Sequence, residues 1–135
     1  MARYLLDSHI FLWAKRRTSS LRGAALAEIE NTQNTLFVSV AGLWELTDKA
    51  SKGRLLEFAA AMEQGLRGLE DALRESGMRL LPVTLAHLVR LHRLPFHHRD
   101  PFDRIMIAQA LVEDMTLISH DALFRRYDVL KLLPA

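Results

Sequence analysis

At 135 residues, half of them hydrophobic, the chain has the size of one compact domain and enough apolar side chains to fill a core. It contains no cysteine, which excludes a disulfide framework, thiolate zinc sites and cysteine nucleophiles, and is compatible with a reducing cytoplasm. The net charge of +2 is too small to establish a nucleic-acid partner by itself, and the apolar runs are too short for a transmembrane helix or a secretory signal, so no membrane association is expected.

Arg3-Tyr4-Leu5-Leu6 reads as a first strand, with Asp7-Ser8 starting a helix at its carboxyl end. Ser19 or Ser20 caps a second helix carrying Leu21, Ala25, Leu26 and Ile29. Leu36 to Val40 reads as the second strand, after the polar loop Asn31 to Asn34. A helix follows from Ala41, placing Glu45 about one turn past the strand end. Phe58, Met62, Leu66, Leu69 and Leu73 recur at spacings of four and three, an amphipathic helix that Gly77 stops and that Gly65 and Gly68 weaken. Leu80 to Val83 is a short strand with Pro82 at a sheet edge or strand end, and Thr84 caps a helix over Leu85 to Leu94. Asp100 at the cap and Pro101 at the first helical position open the next helix and put Asp103 in its first turn. Thr116 to Ser119 is a further strand, closely followed by Asp121.

Alternating strands and helices predict an α/β fold, a mostly parallel sheet flanked by helices, with ligands bound beyond the carboxyl ends of the strands. Asp7, Glu45, Asp103 and Asp121 each follow an apolar run in a way that aims them at one place. Carboxylates brought together repel by roughly 4 kcal/mol per close pair at an effective dielectric near 20, so such a cluster calls for a cation. Hard oxygen donors select Mg²⁺ or Mn²⁺. Each acid also has a local explanation: Asp7, Asp100 and Asp121 as helix caps, Asp103 as a complement to the helix dipole, Glu45 as a solvated helical residue. Caps alone have no reason to converge from four segments.

Leu5-Leu6-Asp7-Ser8-His9, Val38 to Leu46, His97-His98-Arg99-Asp100-Pro101-Phe102-Asp103-Arg104 with the run to Ala110, and Leu117-Ile118-Ser119-His120-Asp121 together resemble the PIN domain, particularly the VapC-like toxins of bacterial toxin-antitoxin modules. The resemblance spans nearly the whole chain as one PIN-like domain, residues 1–135. It implies a Mg²⁺- or Mn²⁺-dependent ribonuclease whose acidic quartet is Asp7, Glu45, Asp103 and Asp121, and a cognate antitoxin protein that blocks the site with a basic side chain. It further implies metal-assisted hydrolysis of RNA to 5′-phosphate and 3′-hydroxyl ends. Asp7 and Asp103 are the expected anchors, with Glu45 and Asp121 completing the site. Ser8 stands where the family usually has Thr. Ser8, Ser39 and Asp100 are expected to support the site from behind, Ser39 by orienting water or phosphate unless its strand-end hydroxyl is simply satisfied locally, and Asp100 chiefly by capping its helix.

Two positions depart from the family pattern. His120 replaces a common Arg or other polar residue, and Asp48 puts a charge on a helical face expected to be partly buried. Lys49, Lys52, Arg54, Arg99 and Arg104 are the expected phosphate contacts, and the loop Ser51 to Arg54 is the expected mobile element. Other basic groups lie at Lys15-Arg16-Arg17 and Arg125-Arg126. The apolar segments Leu21 to Ile29 and Phe58 to Leu73 exceed what one sheet face obviously needs; a plain hydrophobic core explains most of them, and the resemblance implies that some form a homodimer or antitoxin surface.

Two other readings compete. The His120-Asp121 pair suggests an all-helical HD-type metallophosphohydrolase, against which the strands argue. A non-catalytic binding module would use the same acidic pocket to receive a basic partner segment. His97 and His98 read as loop residues ahead of the Asp100 cap, and His9, His87 and His92 as polar or half-buried residues, with no zinc-protease spacing among them.

Overall fold

The computed structural model describes residues 1–16 and 23–135. Its centre is a five-stranded, wholly parallel sheet in the order β3-β2-β1-β4-β5. The strands are β1 (Arg3–Leu6), β2 (Thr35–Ser39), β3 (Arg79–Leu81), β4 (Thr116–Ser119) and β5 (Leu132–Pro134). The helices are α1 (Ser8–Arg16), α2 (Gly23–Glu30), α3 (Val40–Ser51), α4 (Leu56–Glu63), α5 (Gly65–Ser76), α6 (Leu85–His92) and α7 (Pro101–Glu113), with a 3₁₀ turn over Ala122–Arg126. Ser19, Ser20, Leu21 and Arg17 lie outside the described residues, as do the side chains of Lys15 and Arg16. No helix among the described residues is long and apolar enough to cross a membrane.

The period-two alternation of the strands sorts the core into two faces. Leu5 of β1 and Leu117 of β4 pack with Ile105, Met106 and Ala110 of α7 on one side. Their neighbours Leu6 and Ile118 pack with Ile10 of α1 and Ala25 of α2 on the other. A third cluster, Phe11, Leu12, Val38, Leu43, Leu46 and Phe58, joins α1, α3 and α4. Strands covered on both faces read as continuous apolar runs, as β1 and β4 do. The sheet excludes the all-helical HD-type reading.

Chain order runs from β1 outward to β2 and β3, then returns to the other flank of β1 as β4. The carboxyl ends of β2, β1 and β4 therefore lie side by side at a point where the strand order reverses, the position at which parallel sheets open a crevice. The caps fall where the sequence puts them. The Thr84 hydroxyl accepts from the His87 amide while the His87 ring accepts from the Thr84 amide, a reciprocal capping box. Asp100 caps α7 with Pro101 in its first turn, and Gly77 ends α5 at φ +71°.

Several features differ from the sequence expectation, among them β3, which runs over Arg79–Leu81 and leaves Pro82 and Val83 beyond it. The stripe from Phe58 to Leu73 forms two helices, because Gly65 at φ +72° breaks the path after Gln64 and leaves Leu66 exposed. Asp48 points outward to Lys52 at 3.0 Å, so its charge meets solvent and not the core. The second strand ends at Ser39, and Val40 is the first residue of α3.

Candidate active site

Asp7 follows β1 directly. Its Oδ1 accepts from the Ile10 amide at 2.9 Å and so caps α1, while Oδ2 accepts from the Ser119 hydroxyl at the end of β4 at 2.5 Å. Capping and convergence thus operate together: the cap fixes the carboxylate, and the strand end aims it into the crevice. Glu45, one turn and a half into α3, is buried, with Oε1 accepting from the Ser8 hydroxyl at 2.7 Å and Oε2 3.3 Å from Lys49 Nζ. Asp103 comes from the first turn of α7, and Asp121 caps the 3₁₀ turn through the Leu123 amide. All four acids, with Asp100, His9, Trp13, Lys49, His98 and His120, line one cleft of about 560 Å³.

His98 sits at the floor of this group and is 7% exposed. Its Nε2 lies 2.7 Å from Asp121 Oδ2 and 3.2 Å from Asp103 Oδ2. Ligand atoms of these three residues lie within 4.8 Å of one another. The sequence puts His98 in the loop ahead of the Asp100 cap, where it lies, but does not bring it to the acids. The only local signal was its position two residues before the cap, where its Nδ1 accepts from the Asp100 amide at 3.1 Å.

The electrostatics follow from crowding. Burial, then the charges of Asp100, Glu45, Asp7 and Asp121, push the Asp103 carboxyl up to about 8. Burial also raises Asp7, partly offset by the Ser119 hydroxyl and the Ile10 amide. Asp121 goes the other way: burial raises it, but hydrogen bonds from His98 and Leu123 and the neighbouring His98 and His120 imidazoles outweigh burial and hold it below its ordinary value. A buried carboxyl that keeps its proton near neutrality because other acids surround it gives that proton up readily only to a positive charge. Donor chemistry and charge both fit a hard divalent cation.

The remaining expected residues divide. Ser8 holds Glu45, and Asp100 caps α7 through the Phe102 amide at 2.9 Å while lining the cleft. Ser39 is fully buried and its hydroxyl accepts from the Ala41 amide at 3.0 Å, so it caps α3 instead of facing the cleft. Lys49 lines the cleft, Lys52 pairs with Asp48, and Arg54 and Arg99 are exposed. Arg104 corrects the expectation of a phosphate contact. It is 9% exposed, its guanidinium stacks 3.8 Å from the Phe96 ring centroid and donates to the Leu94 carbonyl, and it is thereby committed to holding the loop between α6 and α7. His120 is exposed at the rim, edge-on to Trp13 with centroids 5.4 Å apart. His87 is fully buried between its capping box and Glu113, away from the cleft.

Comparison with known proteins agrees with this architecture. The chain is similar in fold to a chain of VapBC2 from Rickettsia felis bound to a DNA fragment from their promoter, at 20% identity and a TM-score of 0.72 over 98% of each chain. A chain of DNA-bound VapBC from Salmonella typhimurium matches at 14% identity and a TM-score of 0.70, over 99% of this chain and 98% of that one. VapBC-5 from Mycobacterium tuberculosis, a member of the VapBC family of toxin-antitoxin systems, matches at 20% identity and 0.65 over the whole of both chains. Curated protein sequences yield no significant match. The PIN-domain family model matches residues 4–130, a span that contains all four acids, β2, β3, β4 and all of β1 but its first residue. The chain belongs to the PIN-domain family of nucleases.

Proposed function

We propose that the protein is a Mg²⁺- or Mn²⁺-dependent endoribonuclease, the toxin of a toxin-antitoxin pair, and that Asp7, Glu45, Asp103 and Asp121 form its reaction centre. The observation that carries this reading is the Asp103 carboxyl, pushed up to about 8 inside a cleft to which four separate segments each bring an acid. PIN-domain membership supplies the nuclease class, and the fold likeness to VapBC chains supports the toxin assignment.

Asp7 and Asp103 would hold the cation, with Glu45 and Asp121 completing the site directly or through waters. The ion would supply Lewis acidity to a phosphoryl oxygen and acidify a water. Asp103 would have to be deprotonated to join the ligands. Ser8 and Ser119 fix the Glu45 and Asp7 carboxylates by donating hydroxyl hydrogen bonds, which keeps their free lone pairs directed into the cleft. Glu45 or Asp121 accepts the proton of the attacking water. End-group analysis of cleaved RNA tests this chemistry: 5′-phosphate and 3′-hydroxyl ends are expected, whereas a 2′,3′-cyclic phosphate contradicts it.

The substrate's phosphates meet Lys49, which lines the cleft, and the exposed Lys52, Arg54 and Arg99. Combined Ala substitutions at Lys52, Arg54 and Arg99 are expected to weaken RNA binding across sequences and to flatten its dependence on salt by about one unit of slope for each phosphate no longer neutralised. An unchanged slope in filter-binding titrations removes these residues from the footprint.

A second reading, in which the pocket serves to receive a basic partner segment, gains support from Lys49, whose ammonium already sits against Glu45. The two readings combine in an antitoxin that inserts a basic side chain among the acids and displaces the cation. The apolar groove between α3 and α5, lined by Val40, Trp44, Leu66, Leu69, Leu73 and Leu80, is the surface for that partner or for a second copy of the chain. Light scattering of the isolated protein is expected to give a dimer, and a monomer at all concentrations removes the self-association.

A further inference from the structure

His98 lies outside the acidic quartet yet touches two of its members. Its ring is held on three sides and its backbone on a fourth. Nδ1 accepts from the Asp100 amide at 3.1 Å, Nε2 faces Asp121 and Asp103, the ring packs on Phe124 with centroids 5.3 Å apart, and its backbone amide donates to the Tyr127 hydroxyl at 3.1 Å. The reversed ring would set carbon atoms against both the Asp100 amide and the Asp121 carboxylate and break the hydrogen bonds on both sides. An amide N–H can donate only to an unprotonated nitrogen, so Nδ1 carries the lone pair and the hydrogen of the neutral ring sits on Nε2.

That assignment decides what His98 does. A nitrogen bearing hydrogen has no lone pair to offer a cation. Nε2–H instead donates to one oxygen of Asp121, while one oxygen of Asp103, 18 positions away on a different segment, lies 3.2 Å from the same nitrogen. Asp121 is then hydrogen-bonded through both oxygens, Oδ1 to the Leu123 amide and Oδ2 to His98. The Asp100 cap extends this network, since its Oδ1 accepts from the Phe102 and Asp103 amides. The ring therefore ties the start of α7 to the turn after β4.

We propose that His98 is a positioning residue that sets the spacing of Asp103 and Asp121 by accepting from the Asp100 amide at the start of α7 and donating its Nε2–H to Asp121, and that it does not ligate the cation itself. The inference rests on the metal-site reading above for its purpose, but its geometry is testable without metal. Substituted positioning partners of this kind cost about 10–100-fold in metal affinity.

The test has two arms on the full chain. In the metal-free protein above neutral pH, long-range ¹H–¹⁵N NMR of labelled histidines is expected to show His98, identified by its loss in His98→Gln, as the neutral Nε2–H form. A proton on Nδ1 overturns the proposal. Mn²⁺ calorimetry then compares wild type, His98→Gln, whose amide N–H can replace the donor, and His98→Leu, which has none. Affinity within about threefold of wild type for Gln and about 10–100-fold weaker for Leu is expected. Equal binding by the Leu variant, a Gln variant as weak as Leu, or ¹⁴N coupling to bound Mn²⁺ in pulsed EPR that disappears in His98→Gln each overturns it. Failure of all three proteins to take up Mn²⁺ removes the metal-site reading, while the tautomer still decides whether His98 ties Asp121 to the start of α7.

Discussion

Asp103→Asn is expected to stabilise the metal-free protein toward alkaline pH and at the same time to abolish RNA cleavage. Folding raises the Asp103 carboxyl from 3.8 to about 8, so between those values the native state holds a proton that the unfolded chain has released. The sign follows from linkage: where the native state binds more protons, stability falls as pH rises, by at most about 1.4 kcal/mol per pH unit for one group. The loss begins near the unfolded value and is complete once pH passes the folded one. Asp7 adds to the same trend because burial raises it too. Asp121 has the opposite sign, but its contribution is lost only in acid, below its ordinary value, and leaves the neutral window untouched. An Asn keeps position 103 itself neutral at every pH. Thermal melts in chelator are expected to show a midpoint that declines for wild type between pH 3.8 and about 8 and a clearly shallower decline for the variant. A wild-type midpoint that rises across the window, or parallel slopes for the two proteins, contradicts the crowded-carboxylate account.

The second large effect is the response to the cation. Because the four carboxylates are already held by α1, α3, α7 and the turn after β4, the folded chain is preorganised for the ion and the unfolded chain is not. Free Mn²⁺ at a hundred times its dissociation constant is expected to stabilise the fold by about 2.7 kcal/mol, a rise of roughly 10 °C in melting temperature for a chain of this size. The carboxyl of Asp103 must lose its proton to take part, so affinity is expected to strengthen by up to about tenfold per pH unit below about 8 and to level off above it. Asp7→Asn and Asp103→Asn are expected to lose most of the shift. Calorimetry run in buffers of different ionisation enthalpy measures the proton release directly, and pH-independent binding with no proton released excludes Asp103 from the ligand set.

Much of the site was legible because the chemistry lies next to strong local signals. Asp7 and Asp121 follow short apolar strands, Asp100-Pro101 is an unambiguous helix start, and Glu45 follows β2 at a spacing that returns it to the sheet edge. What escaped depends on contacts between distant residues or on direction around a helix. His98 meets Asp121 across 23 positions and carries no ligand spacing. Arg104 is adjacent to Asp103 in sequence, but one residue turns about 100° around a helix, which sends Arg104 to Phe96 and Leu94 while Asp103 faces the cleft. Ser39 lies at a strand end, as a site residue would, yet the first turn of α3 takes its hydroxyl. β5, three residues ending in Pro134, is too short for any period to register and exists because β4 offers it a free edge.

The central claim, that the acidic cleft is a metal-dependent nuclease centre, is tested most directly by incubating a mixed RNA pool with purified, partner-free protein in Mg²⁺, Mn²⁺ or EDTA, beside folded Asp7→Asn and Asp103→Asn variants. Cutting with either metal, none in EDTA, and a loss on the order of 10²–10³-fold or more in both variants is the predicted result. Cutting that persists in EDTA or in both variants contradicts it, as does RNA left intact with each metal when the protein demonstrably binds that metal.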